Sequence, residues 1–131
     1  VQPEGSGVVI PLAVPPEFQG PGGATNPEEM LTSAIASCYS ITFGIIAANR
    51  KLPVLGIKTE AVGEVEQQGA AFTFKKITIR PQISVRSDAT EAEIGQVMDF
   101  ARRADAYCIV TNAIRDKVSV VLDPAVRVIE A

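Results

Sequence analysis

The chain has no histidine and no tryptophan among its 131 residues. Without imidazole there is no Ser–His or Cys–His couple and no histidine-based metal site, and no metal or cofactor is expected. Basic residues are sparse and scattered. Twelve Lys and Arg stand against 15 Asp and Glu, a formal charge of −3 with no basic block, which argues against nucleic acid as a partner. The opening VQPEGSG has neither a basic n-region nor an apolar h-region, so no secretory signal is visible and a cytoplasmic location is expected.

Cysteine is nearly as scarce, with two residues, and their placement is informative. Cys38 lies in a stretch without any charge, residues 30–48, and Cys108 lies in AYCIVTNAIR. If the protein performs covalent chemistry, a thiol is the best candidate, activated by something other than imidazole. Plain burial in the core and a secreted disulfide are the alternatives. In a domain of this size without a secretion signal, reduced thiols or a redox pair are the commoner finding.

At 131 residues, with 47% apolar and 21% charged side chains, the chain suits a single soluble domain, residues 1–131, with a real core. GVVIPLAV, residues 7–14, is at best an edge strand, because Pro11 interrupts it. A Pro/Gly loop follows over 15–27. Asn26-Pro27-Glu28-Glu29 then reads as a helix start: Asn26 caps, Pro27 suits the first turn, and Glu29 completes a capping box. The helix should end near Arg50, before Leu52-Pro53. Its uncharged stretch predicts burial nearly all round. The length also admits a membrane span, but Thr32, Ser33, Ser37, Ser40 and Thr42 and the amphipathic strands that follow favour a core helix and no membrane.

Residues 55–67 and 71–87 alternate as strands and form a hairpin about Gln68-Gly69. Gly63 suggests a bulge, and Pro81 an edge or a bulge. Asp88 or Thr90 caps a second helix, with Thr90 and Glu93 at capping-box spacing and a stripe of Ile94, Val97, Met98 and Ala101. Residues 107–115 read as a short helix, and 117–131 as a closing strand broken at Asp123-Pro124. The expected class is α+β, a long central helix packed on an antiparallel sheet. So apolar a helix is hard to bury in one small chain, so a homodimer is expected.

NPEEMLTSAIASCYS and AYCIVTNAIRDKVSV, 70 positions apart from cysteine to cysteine, together resemble the OsmC/Ohr family of thiol-dependent hydroperoxide reductases. The element order agrees, and the resemblance covers nearly the whole chain from Gly7. It implies an intertwined homodimer with two active sites at the subunit interface, reducing organic hydroperoxides to alcohols in the oxidative-stress response. By motif position, Cys38 is the peroxidatic cysteine, Cys108 the resolving cysteine, and Glu28 the glutamate that holds an activating arginine. It also implies a dithiol reductant such as a lipoylated protein. An apolar pocket around Cys38 would select alkyl or fatty-acid hydroperoxides. Phe18, Met30, Tyr39 and Phe43 are candidates for its lining, or else plain core.

Two departures from the family pattern stand out. The family's arginine belongs to an N-terminal hairpin upstream of the segment matching GSGVVIPLAV, and those strands are not in this chain. Ile109 stands where proline is usual, and Thr111 where serine is common. Arg115 matches a basic position often seen in the second motif, where surface or structural service is expected of it. On one straight helix Glu28 and Cys38 are about 15 Å apart and on different faces. Glu28 therefore acts through a helix break, through an intervening arginine, or on the partner's site, or it only favours the helix dipole. The alternative for the whole protein is a dimeric binder of apolar ligands with structural cysteines.

Overall fold

The structure, a computed structural model, describes residues 1–129, so the end of the expected closing strand, residues 130–131, lies outside the described residues. The chain clusters into two units, Val1–Thr32 and the remainder from Ser33.

In the first unit GVVIPLAV is not a strand. Its one β-type pairing is an isolated parallel bridge from Leu12 to Thr25, and the Pro/Gly loop makes a single 3-10 turn at Pro16–Phe18. Pro11 and the breakers after it leave too few consecutive N–H donors to build a ladder. Helix α1, Pro27–Asn49, starts here. Asn26 Oδ1 accepts from the Glu29 amide at 2.9 Å, as a cap should. The expected box is only half formed, because the Glu29 carboxylate accepts instead from the Thr25 hydroxyl at 2.8 Å.

From Ser33 onward a four-stranded sheet carries the core. Strands β1, Val54–Gln68, and β2, Ala71–Arg86, form the predicted antiparallel hairpin. The register slips beside Glu64–Val65 and between Val54 and Gly56, whereas Gly63 pairs regularly with Ile77, so the bulges are not at the glycine. Beyond the hairpin the sheet is mixed, not purely antiparallel. Strands β3, Ser119–Leu122, and β4, Ala125–Ile129, both run parallel to β2. Their crossover contains helix α2, Glu91–Ala104, and helix α3, Ile109–Ile114, and a long crossover of this kind returns a strand parallel. Strand β2 is therefore central, which corrects the edge position expected from Pro81. β3 pairs as far as Ile79 and β4 begins at Gln82, so the proline faces the gap between them, where a missing N–H breaks no ladder bond.

Ile77, Ile79, Ile83 and Val85 point from β2 into the core at the period of two that the sequence shows. They share that core with Val97, Ala101 and Ala104 of α2. α2 opens on the predicted capping box between Thr90 and Glu93. α1 contributes Ile35, Tyr39, Phe43 and Ala47, one stripe at four-residue spacing, so it is not buried all round in the single chain. Ile41 and Ile45 on another face are 65% and 57% exposed. α1 is long and apolar enough to cross a membrane by length and composition. Its buried stripe, however, is that of a core helix: the Tyr39 hydroxyl donates to the Ala101 carbonyl of α2, and Ser40 and Thr59 of β1 share a hydroxyl hydrogen bond of 2.6 Å.

Candidate active site

Tyr39 fixes the rotation of α1. With its ring buried and its hydroxyl bonded to α2, the preceding residue is turned by about 100° around the axis. That residue is Cys38, which is only partly buried. Burial and the negative charge of Asp105 push the Tyr39 phenol well above its ordinary range, so it stays a neutral donor.

Cys108 comes to Cys38 from the other side. The expected helix over 107–115 is broken in two: a 3-10 turn at Asp105–Tyr107, an extended residue at Cys108, and then α3. The break has a chemical effect. The first amides of α3 have no intrahelical acceptor, and two of them, of Ile109 and Val110, point at the Cys38 sulfur. The Cys108 thiol and the Thr42 hydroxyl also bond that sulfur. Partial burial pushes the Cys38 thiol up, but these four hydrogen bonds to the thiolate outweigh it, and the thiol lies below its ordinary value. Cys108 moves the other way. It is fully buried, and burial, together with the neighbouring Cys38 sulfur, raises it despite a 3.0 Å hydrogen bond from the Thr111 hydroxyl.

The stabilising groups that the sequence did not disclose are therefore mainly backbone. No guanidinium is among the groups that stabilise the Cys38 thiolate within the described residues. At Ile109, the resemblance leads one to expect a proline, which has no amide hydrogen to give. Thiol alkylation by iodoacetamide as a function of pH should reach half its maximal rate at lower pH for Cys38 than for Cys108. Ile109→Pro should move the Cys38 midpoint upward. A Cys38 midpoint at or above that of Cys108 would contradict this electrostatic picture.

Arg115 holds the broken segment in place. Its Nη1 donates to Asp105 Oδ2 at 3.1 Å, its Nη2 to the Asp105 carbonyl at 2.9 Å, and its Nε to Asn112 Oδ1 at 3.1 Å. Asn112 in turn donates to the Ala106 carbonyl at 3.0 Å. Together they tie the turn before Cys108 to the helix after it, the structural service expected of Arg115.

Of the other candidates, Tyr39 and Phe43 are fully buried core residues rather than pocket lining, and Phe18 and Met30 lie in the first unit. Phe18 and Glu28 line a shallow pocket there. Glu28 is exposed, in the first turn of α1, ten residues before Cys38 on the same continuous helix, and its carbonyl accepts a 3.4 Å bond from the Thr32 hydroxyl. No group of three or more Cys, Asp or Glu arranged to hold a metal ion occurs among the described residues.

A family model, OsmC-like protein, matches residues 20–123, a span that contains both cysteines and every helix and strand from α1 to β3. The chain belongs to the OsmC-like protein family. It is 31% identical over 124 residues to the uncharacterized protein YmaD of Bacillus subtilis (strain 168), covering 95% of this chain and 83% of that one. It is 25% identical over 103 residues to Peroxiredoxin OsmC of Escherichia coli (strain K12), covering 78% and 68%. The crystal structure of an organic hydroperoxide resistance protein OsmC from Legionella pneumophila superposes with a TM-score of 0.70 at 23% identity, covering 91% of this chain and 83% of that chain, and shares the fold. In this OsmC-like chain, then, the two cysteines meet through the broken segment around Cys108.

Proposed function

We propose that this OsmC-like protein is a thiol-dependent peroxidase that reduces organic hydroperoxides to alcohols. The observation that carries the proposal is the hydrogen-bonded pair of thiols with opposed acidities, the more acidic one, Cys38, being the more accessible. The Cys38 thiolate attacks the distal peroxide oxygen. The O–O bond breaks, an S–O bond forms, and the alkoxide leaves and takes up a proton as the alcohol. The Cys108 thiol then attacks the sulfenic sulfur, forming a disulfide and releasing water. An external dithiol reduces the disulfide by exchange and is itself oxidised; the likeness to OsmC/Ohr proteins suggests a lipoylated protein for this part.

Glu28 enters as the carboxylate that would orient an arginine toward the thiol. Its exposed place in the first turn of α1 supports a dipole role equally. The protein is proposed to work in the cytoplasm, as a single OsmC-like domain paired with a second copy. The exposed Ile41 and Ile45 of α1 support the pairing.

The direct test is one addition of cumene hydroperoxide to the reduced protein without reductant. Cumyl alcohol should appear in equal amount to protein, and both thiols should be lost to a Cys38–Cys108 disulfide seen by peptide mass spectrometry. Intact thiols and intact peroxide after prolonged incubation would refute the proposal.

A further inference from the structure

A cavity of about 400 Å³ runs along the C-terminal half of α1. Thr42, which bonds the Cys38 sulfur, lies at one end of it. Its walls are apolar, with Ile45 on α1, Phe100 on α2 and Tyr107 in the turn before Cys108. The other end is cationic. The Arg50 and Arg103 guanidinium groups lie 5.3 and 5.6 Å from the centroid of the same Phe100 ring. Arg103 is paired with Asp99 at 2.9 Å, whereas Arg50 has no carboxylate partner among the described residues. One positive charge is thus left over beside an apolar channel that begins at the acidic thiol.

We propose that this cavity is a binding site for a long-chain carboxylic acid, with the carboxylate held by Arg50 and Arg103 and the hydrocarbon chain along Ile45, Phe100 and Tyr107. The dimensions favour a long chain. Cys38 and Arg50 are twelve residues apart on the α1 path, about 18 Å along the axis, so a short acid cannot reach from one end to the other. An anion is favoured over a neutral lipid by charge, because two guanidinium groups on one ring face a carboxylate with their donors spread in a plane. The inference rests on the peroxidase reading for what happens to the ligand: a hydroperoxy acid bound in this way brings its peroxide toward Cys38.

The test compares linoleic acid hydroperoxide with its methyl ester, both below micelle-forming concentration, on wild type, Arg50→Gln and Arg50→Lys. Wild type should favour the acid in kcat/KM. Arg50→Gln should reduce that acid-over-ester preference about threefold to tenfold, and Arg50→Lys should reduce it less. Calorimetry with linoleic acid, which carries no peroxide, reads the site without turnover, and its affinity should fall by the same factor in Arg50→Gln. If both hydroperoxides are reduced and the preference is absent or unchanged in Arg50→Gln, the carboxylate site is refuted while the peroxidase stands. If linoleic acid binds through Arg50 but no hydroperoxide is reduced by wild type, the site stands and the peroxidase reading falls.

Discussion

Cys38→Ser should abolish hydroperoxide reduction, while Cys108→Ser should still consume one equivalent of an alkyl hydroperoxide and then stop. The asymmetry follows from the roles. Attack on the O–O bond needs only the Cys38 thiolate, held by the Ile109 and Val110 amides. Removing the second thiol leaves a sulfenic acid with nothing to condense with, so further peroxide carries it to the sulfinic acid. Single-turnover assays with mass spectrometry of each variant read both outcomes. The expected loss for Cys38→Ser is complete, since a serine hydroxyl at neutral pH is not ionised and is a far poorer nucleophile than a thiolate. Activity surviving in Cys38→Ser but not in Cys108→Ser would reverse the assignment.

Placing Glu at both Ile41 and Ile45 should convert the protein from a dimer of twice 13.9 kDa to single chains in light scattering. Both side chains stand exposed on the face of α1 opposite to solvent-averse logic, two large aliphatic groups on the surface of a chain whose buried stripe lies elsewhere on the helix. Burial against a second copy is worth roughly 1.5–3 kcal/mol for each isoleucine, and two-fold symmetry doubles the count. A carboxylate at either position would have to be desolvated at the interface, which turns that gain into a cost. Far-UV circular dichroism should stay unchanged, because neither residue belongs to the core of the single chain. A wild-type protein that is monomeric at micromolar concentration would remove the pairing.

The elements that carry their own signals were legible in the sequence. α1 was bracketed by Asn26 and by Leu52-Pro53, α2 by its Thr90–Glu93 box, and the hairpin by alternation on either side of Gln68-Gly69. Long-range pairing was not legible in the same way. Nothing in SVVL or AVRVI says which neighbour it will join, and the parallel placement beside β2 is set by the crossover, not by local composition. Pro81 misled for the same reason: a local rule made it an edge, while the tandem strands left a gap for it. At the site, the two sulfurs could be named because cysteine is a side-chain identity. The Ile109 and Val110 amides could not, because every residue but proline has one, and only the break at Cys108 aims them. The departure from proline at Ile109 was the one visible trace of that arrangement.

The unequal burial of the two sulfurs bears on how the enzyme would be reset. In the proposed disulfide, the sulfur within reach of an incoming dithiol is Cys38, yet Cys38 is also the better leaving group, because its thiol is the more acidic of the two. Attack at the accessible sulfur must expel Cys108, the poorer leaving group, and attack that expels Cys38 must reach a sulfur with no exposed surface. Either route is relieved if the segment from Asp105 to Ile114 swings outward. The strength of the Arg115 clamp then sets a ceiling on recycling, independent of how fast peroxide is consumed.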